Sequence, residues 1–252
     1  DTTMVYIDSS FDDGFLNALP SKLLVDRARI ISKDNCSWVN LQTVASSKIN
    51  MIVNGKIDAS GLITGTISTS YRDNAAAKFR LDYRQAKDSV TFYNQEAEKL
   101  GIDILKWQTS GVKDFSPAVT TSVSFTKKCH SSADHIYVNP LITPPIKENP
   151  FSAVERNLPV EFSSPQMVNV SVSLSIPDGY TVEGLNNGVK INTPDNSMMF
   201  KYIVLAENNV ISLQCRLNVN ELFYSADKYP MIKDEYAKIC EKCKDVIVLK
   251  KL

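Results

Sequence analysis

Ile49-Asn50-Met51-Ile52-Val53-Asn54-Gly55-Lys56-Ile57, then Asp58-Ala59-Ser60-Gly61, then Leu62-Ile63-Thr64-Gly65-Thr66-Ile67-Ser68-Thr69-Ser70-Tyr71 decides the fold class. Two runs rich in β-branched residues flank a polar tetrapeptide that ends in Gly, which is a hairpin signal. In the second run the period of two puts Ile63, Gly65, Ile67, Thr69 and Tyr71 on one face and hydroxylated residues on the other. One face is therefore expected to be buried and the other wet.

Working outward, Phe79, Tyr83, Ala86, Val90, Tyr93, Ala97 and Leu100 recur at helical spacing, with Asp73 as a candidate N-cap and Gly101 just past the end. Asp88-Ser89 could divide this helix in two, since both residue types favour caps over interiors. Strands are expected at 102–108, 118–125, 135–138, 158–162, 168–176, 188–192, 197–206 and 210–218. Pro177-Asp178-Gly179 is a turn of type I or II, and Glu207-Asn208-Asn209 a tight hairpin. Pro230 opens a last helix with Ile232, Tyr236, Ile239 and Cys243 on its apolar face, and Val246 to Leu249 form a short strand. Pro140 to Pro159 reads as a long ordered connection or a partial boundary. The fold class expected is mainly β, an antiparallel β-sandwich with one or two helices packed on it.

Composition removes several functions. The 252 residues are 43% hydrophobic and 22% charged, which suits a folded chain with a sizeable core. Twenty-eight basic side chains balance twenty-eight acidic ones, so the charge expected of a nucleic-acid binder is missing. No apolar run approaches the roughly 20 residues that span a bilayer. Five cysteines, at 36, 129, 215, 240 and 243, do not form the framework of a disulfide-rich scaffold.

The local motifs read mostly as structure. Cys240-Glu241-Lys242-Cys243 has redox spacing, but it falls near a helix C-terminus, where the dipole raises a thiol pKa, so these thiols are expected to be structural. A zinc site would need Cys129, His130 or His135 as further donors, and their spacing matches no standard arrangement. No metal and no cofactor is expected. His130 and His135 flank Ser131-Ser132-Ala133-Asp134 in what reads as a loop, without the Gly-rich turn or helix start that would form an oxyanion site. Asp12-Asp13-Gly14 and Pro194-Asp195-Asn196 lack the ligand series of a calcium loop and read as turns. Trp107, Tyr93, Phe115, Tyr137, Phe151 and Tyr180 could stack on a sugar, but scattered aromatics usually serve the core.

The opening has a different character. Met4-Val5-Tyr6-Ile7-Asp8 reads as a strand, and the chain is expected to be the back half of a longer protein. Tyr6-Ile7-Asp8-Ser9-Ser10, Leu16, Leu19-Pro20, Arg29-Ile30-Ile31-Ser32 and Trp38-Val39-Asn40-Leu41 resemble the closing strands of a transglutaminase-like core. The resemblance implies that Asp8 is the orienting acid of a Cys-His-Asp triad whose other members are outside this chain. Further on, Asp58 to Gly61, Gly65 to Tyr71, Asn149-Pro150-Phe151, Arg156 to Pro159, Ile176 to Tyr180 and Val248 to Lys251 are similar to the β-rich C-terminal domain of bacterial proteins that carry such a core.

What the resemblance implies is a division at about residue 45. Residues 1–45 would close an α+β transglutaminase-like core, and residues 46–252 would form a β-sandwich accessory domain with a C-terminal helix and strand. The chain by itself would not be an enzyme, whereas its parent would be a cysteine hydrolase or acyltransferase in the bacterial periplasm or at the cell surface. Its partners would be the upstream core and a protein or peptide substrate. The alternative is a non-catalytic binding or structural module of an envelope protein.

Overall fold

The computed structural model describes residues 4–10, 16–33, 36–113 and 118–252. The described residues are mainly β, with 44% in strands and 18% in helices. β1 (Ala28–Ile31) and β2 (Cys36–Val39) form a two-stranded ribbon. β3 (Ser47–Ile57) and β4 (Leu62–Asp73) are the predicted hairpin, followed by α1 (Asn74–Gln85), α2 (Ser89–Leu100), β5 (Asp103–Ser110) and β6 (Ala118–Lys128). β7 (His130–Ser131), β8 (His135–Val138) and β9 (Val160–Glu161) flank the proline-rich connection. β10 (Gln166–Ser175), β11 (Tyr180–Gly184), β12 (Val189–Asn192), β13 (Met198–Glu207), β14 (Val210–Val219) and β15 (Phe223–Tyr224) lead to α3 (Tyr229–Lys242) and β16 (Ile247–Lys251).

Turn chemistry fixes the hairpins. Asp58 accepts hydrogen bonds from the Ser60 and Leu62 backbone N–H groups, and Gly61 takes the left-handed conformation that a side chain would strain. Asn208 and Asn209 both have positive φ, which makes the β13–β14 connection a type I′ turn. Gly179 at φ 76° makes the turn after β10 type II.

The main sheet has eight strands in the order β12-β13-β14-β10-β3-β4-β6-β5. All its ladders are antiparallel except β10 with β3, which runs parallel with Val172 opposite Val53. That pairing joins residues more than a hundred positions apart, and local alternation carries no information about it. On the covered face Val53 pairs with Ile67 and Ile57 with Ile63, while Gly55 pairs with Gly65. The two glycines let the strands approach closely: a Cβ on Gly65 would lie 2.3 Å from the Asn54 carbonyl oxygen. The other face, with Asn50, Asn54, Thr66, Ser68, Thr120 and Ser122, is polar, as the alternation predicts.

The expected second sheet is only half of the second layer. A four-stranded sheet, β11-β16-β8-β7, shares one continuous core with the main sheet, and α1, α2 and α3 pack into that same core. Asp88 divides the long predicted helix by accepting the Thr91 N–H at 2.7 Å and so capping α2, while Gly101 ends it in the left-handed region. The restart changes the packed face. Val90 is exposed and Phe92 is buried instead, edge-on to Phe79 at 5.2 Å. Asp73 does not cap α1, because its carboxylate accepts from the Ser46 hydroxyl and pairs with Lys48.

The proline-rich connection is ordered by Asn139 and Asn149, which accept from the N–H groups of Leu141 and Phe151. Phe151 then packs edge-on against Tyr236 at 4.8 Å. At the start of α3, Lys228 pairs with Asp195 at 3.0 Å, and Asp195 also accepts from the Ser197 N–H. Hydrogen bonds from the Ser197 hydroxyl, Lys228 and the Ser197 N–H hold the Asp195 carboxyl well below the usual carboxylate range. A group depressed on folding stabilises above its unfolded pKa of 3.8, and this contribution is lost as pH falls through and below that value. Acidification from about pH 5 to about pH 3 should therefore lower Tm less in Asp195→Asn than in the parent chain, as read by thermal denaturation.

Candidate functional site

Asp8, the one residue predicted to do chemistry, lies in the opening segment. Residues 4–8 are not in a strand, contrary to the reading of Met4 to Asp8. The segment is instead closed by local hydrogen bonds: Tyr6 N–H donates to the Asn17 side chain, and Asn17 N–H returns to the Tyr6 carbonyl at 2.8 Å. Asp8 accepts from the hydroxyl and the N–H of Ser10, at 2.8 and 2.9 Å, which keeps its carboxyl below the ordinary value. The residue is half-buried, and with its pKa lowered the carboxyl is ionised at neutral pH. Asp12, Asp13 and Gly14 lie outside the described residues.

The segment is anchored by a small cluster of Leu19, Leu24, Ala45 and Leu222, joined by Tyr6, Leu41, Val44 and Phe162, and by a hydrogen bond from the Asn74 side chain to the Leu19 carbonyl. The β1–β2 ribbon beyond it carries no further ladder partner on either edge among the described residues. Its register pairs Arg29 with Trp38 and Ile31 with Cys36, so these four side chains share one face. That face meets solvent, with Ile31 82% and Trp38 59% exposed, and Arg27 and Arg29 lie 4.8 and 5.9 Å from the Trp38 ring centre. A two-stranded ribbon is marginal alone, and an aromatic and a branched aliphatic side chain left in water call for a covering surface.

The remaining candidates resolve into structure. His135 bonds Glu183 at 3.1 Å, and His130 lies 5.6 Å from the Tyr137 ring, both on the four-stranded sheet. The neighbouring Cys129 is buried, and burial pushes its thiol up, the opposite of an activated nucleophile. Of the aromatics, Tyr93, Phe151 and Tyr180 are core residues, and Phe115 lies outside the described residues. Among the described residues no cluster of three or more His, Cys, Asp or Glu could hold a metal ion, and no helix is long and apolar enough to cross a membrane.

One further feature lies on the face where the alternation places hydroxylated side chains. The open face of the main sheet forms a trough of about 740 Å³ lined by Asn50, Ser68, Ser70, Gln108, Thr120 and Ser122 with Ile52 at its side. No titratable side chain lines it, so it offers hydrogen bonds and not proton transfer. Cys240 and Cys243 are both buried, as the structural reading of their spacing expects, and Cys215 on β14 is buried as well.

The model of DUF3858, a domain of unknown function with a solved structure, matches residues 134–249. No curated protein matches the chain. Among solved structures the chain is similar to that of a "putative protease" from Parabacteroides distasonis, at 13% sequence identity and a TM-score of 0.39, over 48% of this chain and 24% of that one. The chain thus spans about a quarter of that protein's length.

Proposed function

We propose that this chain is the C-terminal accessory part of a transglutaminase-like cysteine enzyme, with residues 1–45 closing the catalytic fold and residues 46–252 forming the β-rich accessory domain. The observation that carries the reading is the solvent-facing side of the β1–β2 ribbon, where Ile31 and Trp38 stand uncovered beside two strand edges that have no ladder partner among the described residues. A preceding core would extend the ribbon and cover that face. In this arrangement Asp8 accepts a hydrogen bond from the core's catalytic imidazole, fixes its tautomer and leaves the other ring nitrogen free to activate a thiol. Its carboxyl, held below the ordinary value, is ionised at neutral pH and suits that role. The parent would act on protein or peptide amides in the bacterial periplasm or at the cell surface.

The direct test is an assay of amide hydrolysis and acyl transfer with this chain and with a longer polypeptide that includes the preceding core. Turnover is expected from the longer polypeptide only, and turnover by this chain alone would refute the division. A second reading, a non-catalytic binding module, is favoured by the uncharged trough on the sheet and would be supported if the longer polypeptide were also inert.

The ribbon gives a separate expectation. Because Ile31 is 82% exposed, Ile31→Ser should change the stability of this chain by less than about 0.5 kcal/mol in urea denaturation. In the longer polypeptide the same change should be clearly destabilising, since there the side chain would be covered.

A further inference from the structure

The covered face of the main sheet is not filled evenly. In one row across β3, β4 and β6, Val53, Ile67 and Val123 are branched aliphatic side chains, all buried. Two residues along, the next row on the same face is Met51, Thr69 and Thr121, where short hydroxylated side chains replace two of the aliphatic ones. Above this row the rings of α1 and α2 brace one another: Phe79 lies 4.8 Å from Tyr71 and 5.2 Å from Phe92, and Phe92 lies 5.3 Å from Tyr93, centre to centre. Rings packed in this way cannot fold down onto the shorter threonines, and a cavity of about 190 Å³ remains between sheet and helices.

The lining is chiefly aliphatic and aromatic, and one polar group in it is unsatisfied. Thr143, on the proline-rich connection, lines the cavity and is 3% exposed, and its hydroxyl has no hydrogen-bond partner among the described residues. Pro144 restricts the Thr143 backbone to extended conformations, and Leu141 and Ile142 before it are buried, so the residue is fixed in position. A buried hydroxyl without a partner opposes folding, and a partner supplied from outside the chain would account for its presence.

The cavity has a mouth. Glu96, Leu100 and Pro144 line both it and a surface cleft of about 600 Å³. Glu96 is engaged by Lys99 at 2.6 Å, and among the described residues no cationic side chain lines the cavity. An anion therefore finds no counter-charge inside, and a cation finds the one carboxylate already paired. A cavity of about 150 Å³ holds a benzene ring, so about 190 Å³ accommodates one ring with a small substituent.

We propose that this cavity binds a small neutral aromatic molecule that carries one hydroxyl or ring N–H group, with the ring among Tyr71, Phe79 and Phe92 and the polar group hydrogen-bonded to Thr143. The Thr143 hydroxyl can donate or accept, so either group satisfies it. The site lies on the opposite face of the sheet from the polar trough, and it is independent of any catalytic role of Asp8.

The experiment titrates the full chain, isotopically labelled at its methyl groups, with p-cresol and separately with toluene, and follows the methyl signals by NMR. p-Cresol is expected to bind saturably with a Kd of about 1 mM or tighter. It should shift Met51, Ile67 and Ile104, which line the cavity, and not Ile52 on the open face. Thr143→Val removes the hydroxyl and keeps the shape, so it should weaken p-cresol by about 3- to 10-fold and leave toluene unchanged. Thr69→Ile combined with Thr121→Ile fills the floor and should abolish binding of both. If the double variant fails to fold by circular dichroism, the Thr143→Val comparison decides alone. Absence of saturable p-cresol binding, shifts confined to Ile52 or Ile31, or an unchanged p-cresol affinity in Thr143→Val would each overturn the proposal, the last because water would then be the partner of the hydroxyl.

Discussion

Phe125→Ala should destabilise the chain by about 3–5 kcal/mol in urea denaturation, near the upper end for a single core truncation. Phe125 has no exposed surface and sits in the second half of β6, opposite Gly65 on β4 and Ile104 on β5. The cost of a truncation depends on how far the surroundings can collapse into the space left behind. Here collapse is hindered, because Gly65 brings no side chain that could swing in and the close β3–β4 contact at Gly55 already fixes the backbone. Phe125→Leu keeps most of the volume and should cost far less, about 1.5 kcal/mol or below. Equal losses from the two variants would mean that shape at this position, and not the void, sets the energy.

Asp8→Asn in the longer polypeptide should lower kcat by up to about 10⁴, because an amide in place of the orienting carboxylate selects the wrong imidazole tautomer. The same substitution in this chain should leave Tm unchanged. Among the described residues the hydrogen bonds to the Asp8 carboxylate come from Ser10, and an amide oxygen accepts them equally well. The contrast between the two measurements separates a residue kept for chemistry from one kept for a turn. An unchanged kcat would reduce Asp8 to its local role.

Alternation and turn residues made the mainly β class, the β3–β4 hairpin, most of the long strands, the break at Asp88 and the stop at Gly101 legible. These signals act within a few residues, where sterics and capping hydrogen bonds decide the outcome. Two features were not legible. The parallel β10–β3 ladder joins distant segments, and the composite second layer depends on how helices and a small sheet share one apolar face. The opening segment shows the opposite failure. Met4 to Asp8 has strand-forming residues, but the described residues pair no neighbouring strand with it, and an extended chain without a ladder partner closes its hydrogen bonds locally instead.

The division of labour rests on the β1–β2 ribbon meeting a surface that belongs to a preceding core. Amide hydrogen exchange at Ala28–Ile31 and Cys36–Val39, measured in this chain and in the longer polypeptide, tests it most directly. The account predicts rapid exchange in this chain and protection at least about a hundredfold greater in the longer polypeptide, as expected when a fraying unit joins a cooperative one. Equal protection in the two would contradict it, since the ribbon would then be complete without a partner.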